Sequence, residues 1–219
     1  MNKRKTIESW NLYVITDENL SKGRSHLEIA KSVIAGGAEV IQLRDKTASS
    51  QKLYHIGLDL RKLTRENRVS FIVNDRLDIA LAVEADGLHI GQSDLPVHIA
   101  RQLIGHNKIL GVSASSLQEA LEAEKHGADY LGVGPIFEAR GTKGDAGIPL
   151  GLSLIPEIQK NSKLPQVAIG GINSQNVPEV IKAGAIAVAV ISAIVAQEDI
   201  QMATRQLRKT IRMTKEQCE

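Results

Sequence analysis

Two acids, three bases and a glycine pair carry the chemistry that this sequence has to offer. Asp75 and Asp94 each follow a short apolar run, within Asn74-Asp75-Arg76 and Gly91-Gln92-Ser93-Asp94. If the two runs are neighbouring strands, their carboxylates converge on one point. A carboxylate pair facing an anionic ligand suits Mg²⁺, which takes a couple of protein oxygens and completes its shell with water and phosphate oxygens. An aspartate just after a strand is also a common helix cap, and either acid alone reads that way. The bases shift the weight towards a metal. Arg44 and Lys46 flank Asp45 in Gln42-Leu43-Arg44-Asp45-Lys46, and Lys143 follows Gly141-Thr142 in a glycine-rich stretch long enough to act as a lid. A guanidinium forks onto phosphate oxygens while an ammonium acts as a point charge. An isolated base is ordinarily a surface ion-pair partner, here with Asp45 or Asp145 at hand. Side chains two apart on a strand point the same way, however, so Gln42, Arg44 and Lys46 share one face. Gly170-Gly171 and, further on, Ser192 suit a phosphate cup of backbone N–H groups, although a glycine pair alone is equally a tight turn.

These residues need elements to position them. Short β-branched runs alternate with amphipathic stretches along the whole chain, and the strands are expected at 12–16, 40–43, 70–73, 87–90, 109–112, 130–133, 166–169 and 187–190. Several are nearly continuous apolar runs, as parallel strands covered on both faces are. Ser25-His26-Leu27-Glu28 and Ser116-Leu117-Gln118-Glu119 have the form of capping boxes. Gly37-Ala38, Gly127-Ala128 and Gly184-Ala185 each close a helical stretch before a strand, where glycine adopts the left-handed conformation. Eight βα units without a linker predict an α/β fold, one (β/α)₈ TIM barrel over residues 1–219 with its core at about 12–210. The competing doubly wound sheet lacks its usual Gly-x-Gly-x-x-Gly, since Asp17-Glu18-Asn19-Leu20 follows the first strand. In a barrel every polar residue singled out above lies at the C-terminal ends of the strands, the face on which barrel enzymes build their sites.

Composition narrows the partners. The chain has 219 residues, 27 basic against 25 acidic side chains and 3% aromatics, which gives neither the field nor the stacking surface for nucleic acid. Its longest apolar stretch, 185–196, is interrupted by Ser192 and too short for a bilayer, so a cytoplasmic protein without a membrane partner is expected. Cys218 alone builds no disulfide framework. The six histidines suggest no metal set, and His89, inside a strand, reads as a packed barrel residue. A homo-oligomer is compatible with all of this.

The motifs resemble the thiamine-phosphate synthase family. They run in order through Tyr13-Val14-Ile15-Thr16-Asp17, Gln42 to Lys46, Asn74 to Ala80, Gly87 to Asp94, Gly111-Val112-Ser113, Gly127 to Phe137, Thr142-Lys143, Ile169 to Ile172 and Val190 to Ile194. The resemblance implies a Mg²⁺-dependent transferase. Its substrates would be 4-amino-5-hydroxymethyl-2-methylpyrimidine diphosphate and 4-methyl-5-(2-phosphoethyl)thiazole or its carboxylated form, and its products thiamine phosphate and diphosphate, with CO₂ as well when the carboxylated form is used. It places the pyrimidine diphosphate on Gln42, Arg44, Lys46, Asn74 and Lys143, the pyrimidine against Ser113, and Mg²⁺ on Asp75 and Asp94. The thiazole phosphate would lie against Arg140, Gly141, Thr142, Gly171, Ile191 and Ser192. Arg44, Lys46, Lys143 and Ser113 would be the catalytic set. The family usually has threonine where this chain has Arg140. Two other readings compete: a thiazole tautomerase of the same superfamily, which typically lacks the full diphosphate set, and a non-catalytic phosphate-binding barrel, which needs no acid pair.

Overall fold

A computed structural model describes residues 3–138 and 147–218. Among them lie the helices and strands α1 (Lys3–Glu8), β1 (Leu12–Ile15), α2 (His26–Gly36), β2 (Val40–Leu43), α3 (Ser50–Asn67), β3 (Ser70–Asn74), α4 (Leu77–Ala82), β4 (Gly87–Ile90) and α5 (Val97–Ile104). The second half follows with β5 (Ile109–Ala114), α6 (Leu117–Lys125), β6 (Tyr130–Val133), α7 (Leu154–Asn161), β7 (Gln166–Ile169), α8 (Val177–Lys182), β8 (Ala187–Val190), α9 (Ser192–Val195) and α10 (Ile200–Glu216). The strands pair in chain order and β8 pairs with β1, all parallel, so the sheet closes into a barrel. The expected strands are all present. β1 ends one residue early, whereas β3 and β5 run on by one and two residues into the polar positions that follow them.

Local chemistry sets the element ends. Ser25 and Glu28 form a reciprocal capping box at α2. At α6 the box is only half formed. Ser116 accepts from the Glu119 N–H, but the Glu119 carboxylate reaches back one residue further, to the N–H and hydroxyl of Ser115. Gly37, Gly127 and Gly184 take φ of 97°, 91° and 111°, the left-handed turns expected between helix and strand.

The strands bury both faces. Outward residues such as Leu12, Val14, Leu43, Leu88 and Leu131 pack beneath the helices in one large core. Inward residues form a second, separate cluster, with Tyr13, Val40, Ile72, Ile109, Tyr130 and Val167 stacked inside the ring. Ile7 and Trp10, from α1 and the turn after it, join this inner cluster and stop the N-terminal end of the barrel. The Trp10 ring meets Tyr13 and Tyr130 edge-on at 5.8 and 5.3 Å between centroids, and its indole N–H donates to Ser70 Oγ at 3.2 Å. A plug so placed holds the inner aromatic residues from below. Trp10→Ala is therefore expected to cost about 3–5 kcal/mol of folding stability, the range for emptying a buried aromatic site. Denaturant unfolding checks it; a loss below about 1 kcal/mol would mean that α1 only lies against the barrel.

Candidate active site

Because side chains alternate along a strand, the inward parity that places Tyr13, Val40 and Ile109 in the inner cluster brings Gln42, Asn74, His89, Ser113 and Ile169 inside the ring as well. They line a cavity of about 880 Å³ that opens at the C-terminal ends of the strands and reaches down to Tyr13 and Tyr130. Arg44, Lys46, Asp75, Asp94, Gly171, Ile191 and Ser192 also border it. One cavity thus collects every expected site residue that lies within the described segments. Arg140, Gly141, Thr142 and Lys143 lie outside the described residues.

The two acids meet. Burial and a side-chain hydrogen bond to Asp94 push the Asp75 carboxyl up to about 6, the negative charge of Asp94 adds to this, and Lys46 and Arg44 pull the other way. Neither acid caps a helix. The N-cap residue of α4 is Arg76, without a side-chain bond, and that of α5 is Pro96. Asp94 Oδ2 instead accepts from the Gly91 N–H at 2.7 Å within its own loop. Asp75 adopts φ of 59°, an uncommon conformation for a residue with a side chain, pinned by its N–H donating to the His89 carbonyl at 2.8 Å. Two carboxylates held in contact, one of them with a raised pKa, form a donor set that fits a hard divalent cation.

One base, Arg44, is paired with the acid that follows β1. Arg44 reaches Asp17 Oδ2 at 3.5 Å. Asp45 is occupied elsewhere, accepting from the Thr47 N–H, the Thr47 hydroxyl and the Ala48 N–H. These bonds outweigh its burial and lower its carboxyl to about 2. One histidine lies among acids, away from the cavity lining. His26 Nε2 lies 3.6 Å from Asp45 Oδ2 and 3.9 Å from Glu18 Oε1, so the three could together offer ligands to a metal ion. No sequence motif joins them; the segment between β1 and α2 brings Glu18 to His26, and the pairing of β1 with β2 sets Asp45 beside them. Lys52 brings its ammonium to 3.0 Å from Glu18 and 3.7 Å from Asp45, which already supplies a positive charge to that cluster.

The floor of the cavity is neutral and polar. His89 is more than a packing residue: its Nε2 lies 3.0 Å from Ser113 Oγ and its Nδ1 2.9 Å from the Tyr130 hydroxyl. Burial lowers its imidazole to about 4 against the opposing pull of Asp94. The sequence held one signal for this role, a polar residue of inward parity in an otherwise apolar strand. At the opposite wall Gly170 and Gly171 have φ of 98° and 64°, and α9 starts at Ser192. A Cβ on Gly171 would lie 2.6 Å from the Glu138 carbonyl oxygen and 2.7 Å from Phe137 Cβ. Glycine is thus required there for packing as well as for its left-handed φ.

Similarity to known proteins agrees with this geometry. The family model described as thiamine monophosphate synthase matches residues 12–194. A thiamine-phosphate synthase of Chloroflexus aurantiacus is 54% identical over 212 residues, covering 97% of each chain. One of Moorella thermoacetica is 54% identical over 202 residues, covering 92% of this chain and 96% of its own. Among solved structures, a thiamine phosphate pyrophosphorylase from Pyrococcus furiosus superposes with a TM-score of 0.87 at 44% identity, covering 97% of this chain and 99% of its own.

The acid pair makes a pH-dependent prediction. A carboxyl raised from 3.8 to about 6 favours the protonated folded state, so without a cation its contribution to stability is present below about pH 4 and lost as the pH rises through about 6. A cation competes with that proton. The rise in melting temperature produced by Mg²⁺ is therefore expected to grow between about pH 5 and about pH 7.5, and Asp75→Asn should flatten it. A Mg²⁺ effect independent of pH in the unmodified protein would separate the metal from Asp75.

Proposed function

The chain belongs to the thiamine monophosphate synthase family, and from that premise we propose how the barrel mouth divides its work between two phosphorylated substrates. The protein is a transferase of thiamine biosynthesis that joins the aminopyrimidine diphosphate to the thiazole phosphate, giving thiamine phosphate and diphosphate. The observation that carries the assignment of sites is the Asp75–Asp94 pair lying within electrostatic reach of Arg44 and Lys46. In this reading the diphosphate lies over Gln42, Arg44, Lys46 and Asn74, with Lys143 contributed by the segment beyond Glu138, and the pyrimidine descends towards Ser113. The thiazole phosphate takes the other wall, on the backbone of Gly171, Ile191 and Ser192 together with Arg140, Gly141 and Thr142. Asp75 and Asp94 would hold Mg²⁺, which when bound neutralises diphosphate charge.

Physical chemistry favours a dissociative course. The carbon–oxygen bond to diphosphate breaks first, because the electron-rich aminopyrimidine can carry a methylene cation, and the thiazole nitrogen then captures that carbon. As the bond breaks, negative charge accumulates on the departing diphosphate. Arg44, Lys46 and Lys143 meet that charge, so their contribution grows from ground state to transition state, which is the condition for catalysis. Residues of the cavity wall keep water from the cation before the second substrate reaches it. The mechanism asks for no general base.

Purified protein incubated with both substrates and Mg²⁺ should form thiamine phosphate, detected by mass spectrometry. Asp94→Asn should retain the fold by circular dichroism while losing roughly 10²-fold or more in turnover. Wild-type turnover in that variant, or full activity in excess chelator, would overturn the metal assignment.

A further inference from the structure

Below the charged rim, four hydrogen bonds cross the inside of the barrel from β2 to β5. Gln42 Nε2 donates to the Tyr13 hydroxyl at 2.7 Å, and the Tyr13 and Tyr130 hydroxyls are 3.0 Å apart. The Tyr130 hydroxyl lies 2.9 Å from His89 Nδ1, and His89 Nε2 lies 3.0 Å from Ser113 Oγ. Glycines clear the space for this chain. A Cβ on Gly111 would overlap the Tyr130 ring, and one on Gly132 would stand 2.8 Å from His89 Cε1.

Proton counting gives the chain a direction. A phenol has one hydrogen, and both tyrosine hydroxyls are buried, where an unused donor is costly. Tyr13 accepts from Gln42, so its own hydrogen goes to Tyr130. Tyr130 must then donate to His89 Nδ1, the acceptor left to it. With Nδ1 accepting from Tyr130, the ring hydrogen sits on Nε2 and is donated to Ser113 Oγ. Ser113 has thereby filled an acceptor position from behind, and its own O–H is turned to the cavity that it lines.

We propose that Tyr13, Tyr130 and His89 are positioning residues whose relay fixes Ser113 as a hydrogen-bond donor to the pyrimidine substrate, and so selects an aminopyrimidine over its oxo analogue. The inference rests on the substrate assigned above. The ring nitrogens of an aminopyrimidine only accept, and so they match a donor. In the 4-oxo analogue the ring nitrogen beside the carbonyl carries a hydrogen, so a Ser113 donor facing that atom would meet a second donor. Running the relay backwards would reverse that preference, but it would require the Gln42 amide to turn its carbonyl to Tyr13.

Two measurements test this, and one of them is independent of any substrate. In ligand-free protein labelled with ¹⁵N-histidine, the His89 resonances should show an unprotonated Nδ1 and a protonated Nε2; the opposite tautomer overturns the proposal. The second is calorimetric binding of the aminopyrimidine diphosphate and of its oxo analogue to wild type and Tyr130→Phe. Wild type should prefer the amino form by roughly tenfold or more, and the variant should lose about tenfold of that preference. Binding of the thiazole phosphate should not change. A folded variant with unchanged preference overturns the proposal. Tyr13→Phe, which breaks the relay one link further from the ligand, gives the same reading should Tyr130→Phe fail to fold. If wild type binds neither pyrimidine, the substrate assignment falls, and with it the selectivity claimed for Ser113.

Discussion

Closing eight parallel strands into a ring leaves an interior that only every second residue of each strand can enter. Everything distinctive about this molecule follows from that parity. It sends Val14, Leu43 and Leu88 outward under the helices and Tyr13, Gln42 and His89 inward, so that one strand serves two cores at once. Because the strands are parallel, their polar ends all emerge at one rim. The interior is also narrow, and each large inward side chain needs a small neighbour. Gly111 yields to Tyr130 and Gly132 yields to His89, a pairing of glycine with ring that no single strand reveals.

The same ring explains how opposed charges come to share one mouth. Adjacent strands bring Asp75 and Asp94 into contact, and burial and the neighbouring acid raise the carboxyl of the first to about 6. The backbone contributes too, since Asp75 is held in a left-handed conformation, its N–H donating to the His89 carbonyl of β4 and its carbonyl accepting from the Leu77 N–H of α4. A disfavoured conformation and a disfavoured charge at one residue are both destabilising. Regular packing elsewhere, with caps on α2 and an aromatic plug at the barrel floor, offsets them. Cost concentrated at the rim, with ordinary packing below it, is the distribution expected of a site that a ligand completes.

How much of this was legible in the sequence depended on the range of the signal. Strands, glycine turns and the α2 capping box are written in spacings of two to four residues, and they were found where those spacings put them. The rim residues were legible for the same reason: Gln42, Arg44 and Lys46 obey a period of two, and the acids follow strand ends. His26 and His89 were not. Their roles depend on partners that lie 8 to 41 positions away and on which face of its element each occupies, as Asp45, Tyr130 and Ser113 show. Distance in sequence hid those partners, while inward parity, applied to His89 as it was to Gln42, would have removed it from the packing class.

The arrangement of charge along the barrel axis bears on the proposed course of reaction. Formal positive charge stands at the rim, on Arg44 and Lys46, where in the proposed course the diphosphate would depart. The floor, where the pyrimidine would lie, is kept neutral even though it contains a histidine. Burial lowers that imidazole to about 4, so at neutral pH it stands uncharged between a phenol and a serine hydroxyl. An imidazolium there would repel a methylene cation forming above it, at a cost that a low-dielectric interior magnifies. A neutral relay can still orient a ligand through hydrogen bonds without adding to that repulsion. The barrel therefore separates two demands that would conflict at one place. In the proposed course the rim cations would meet the leaving anion, and the uncharged relay below would hold the ring from which it leaves.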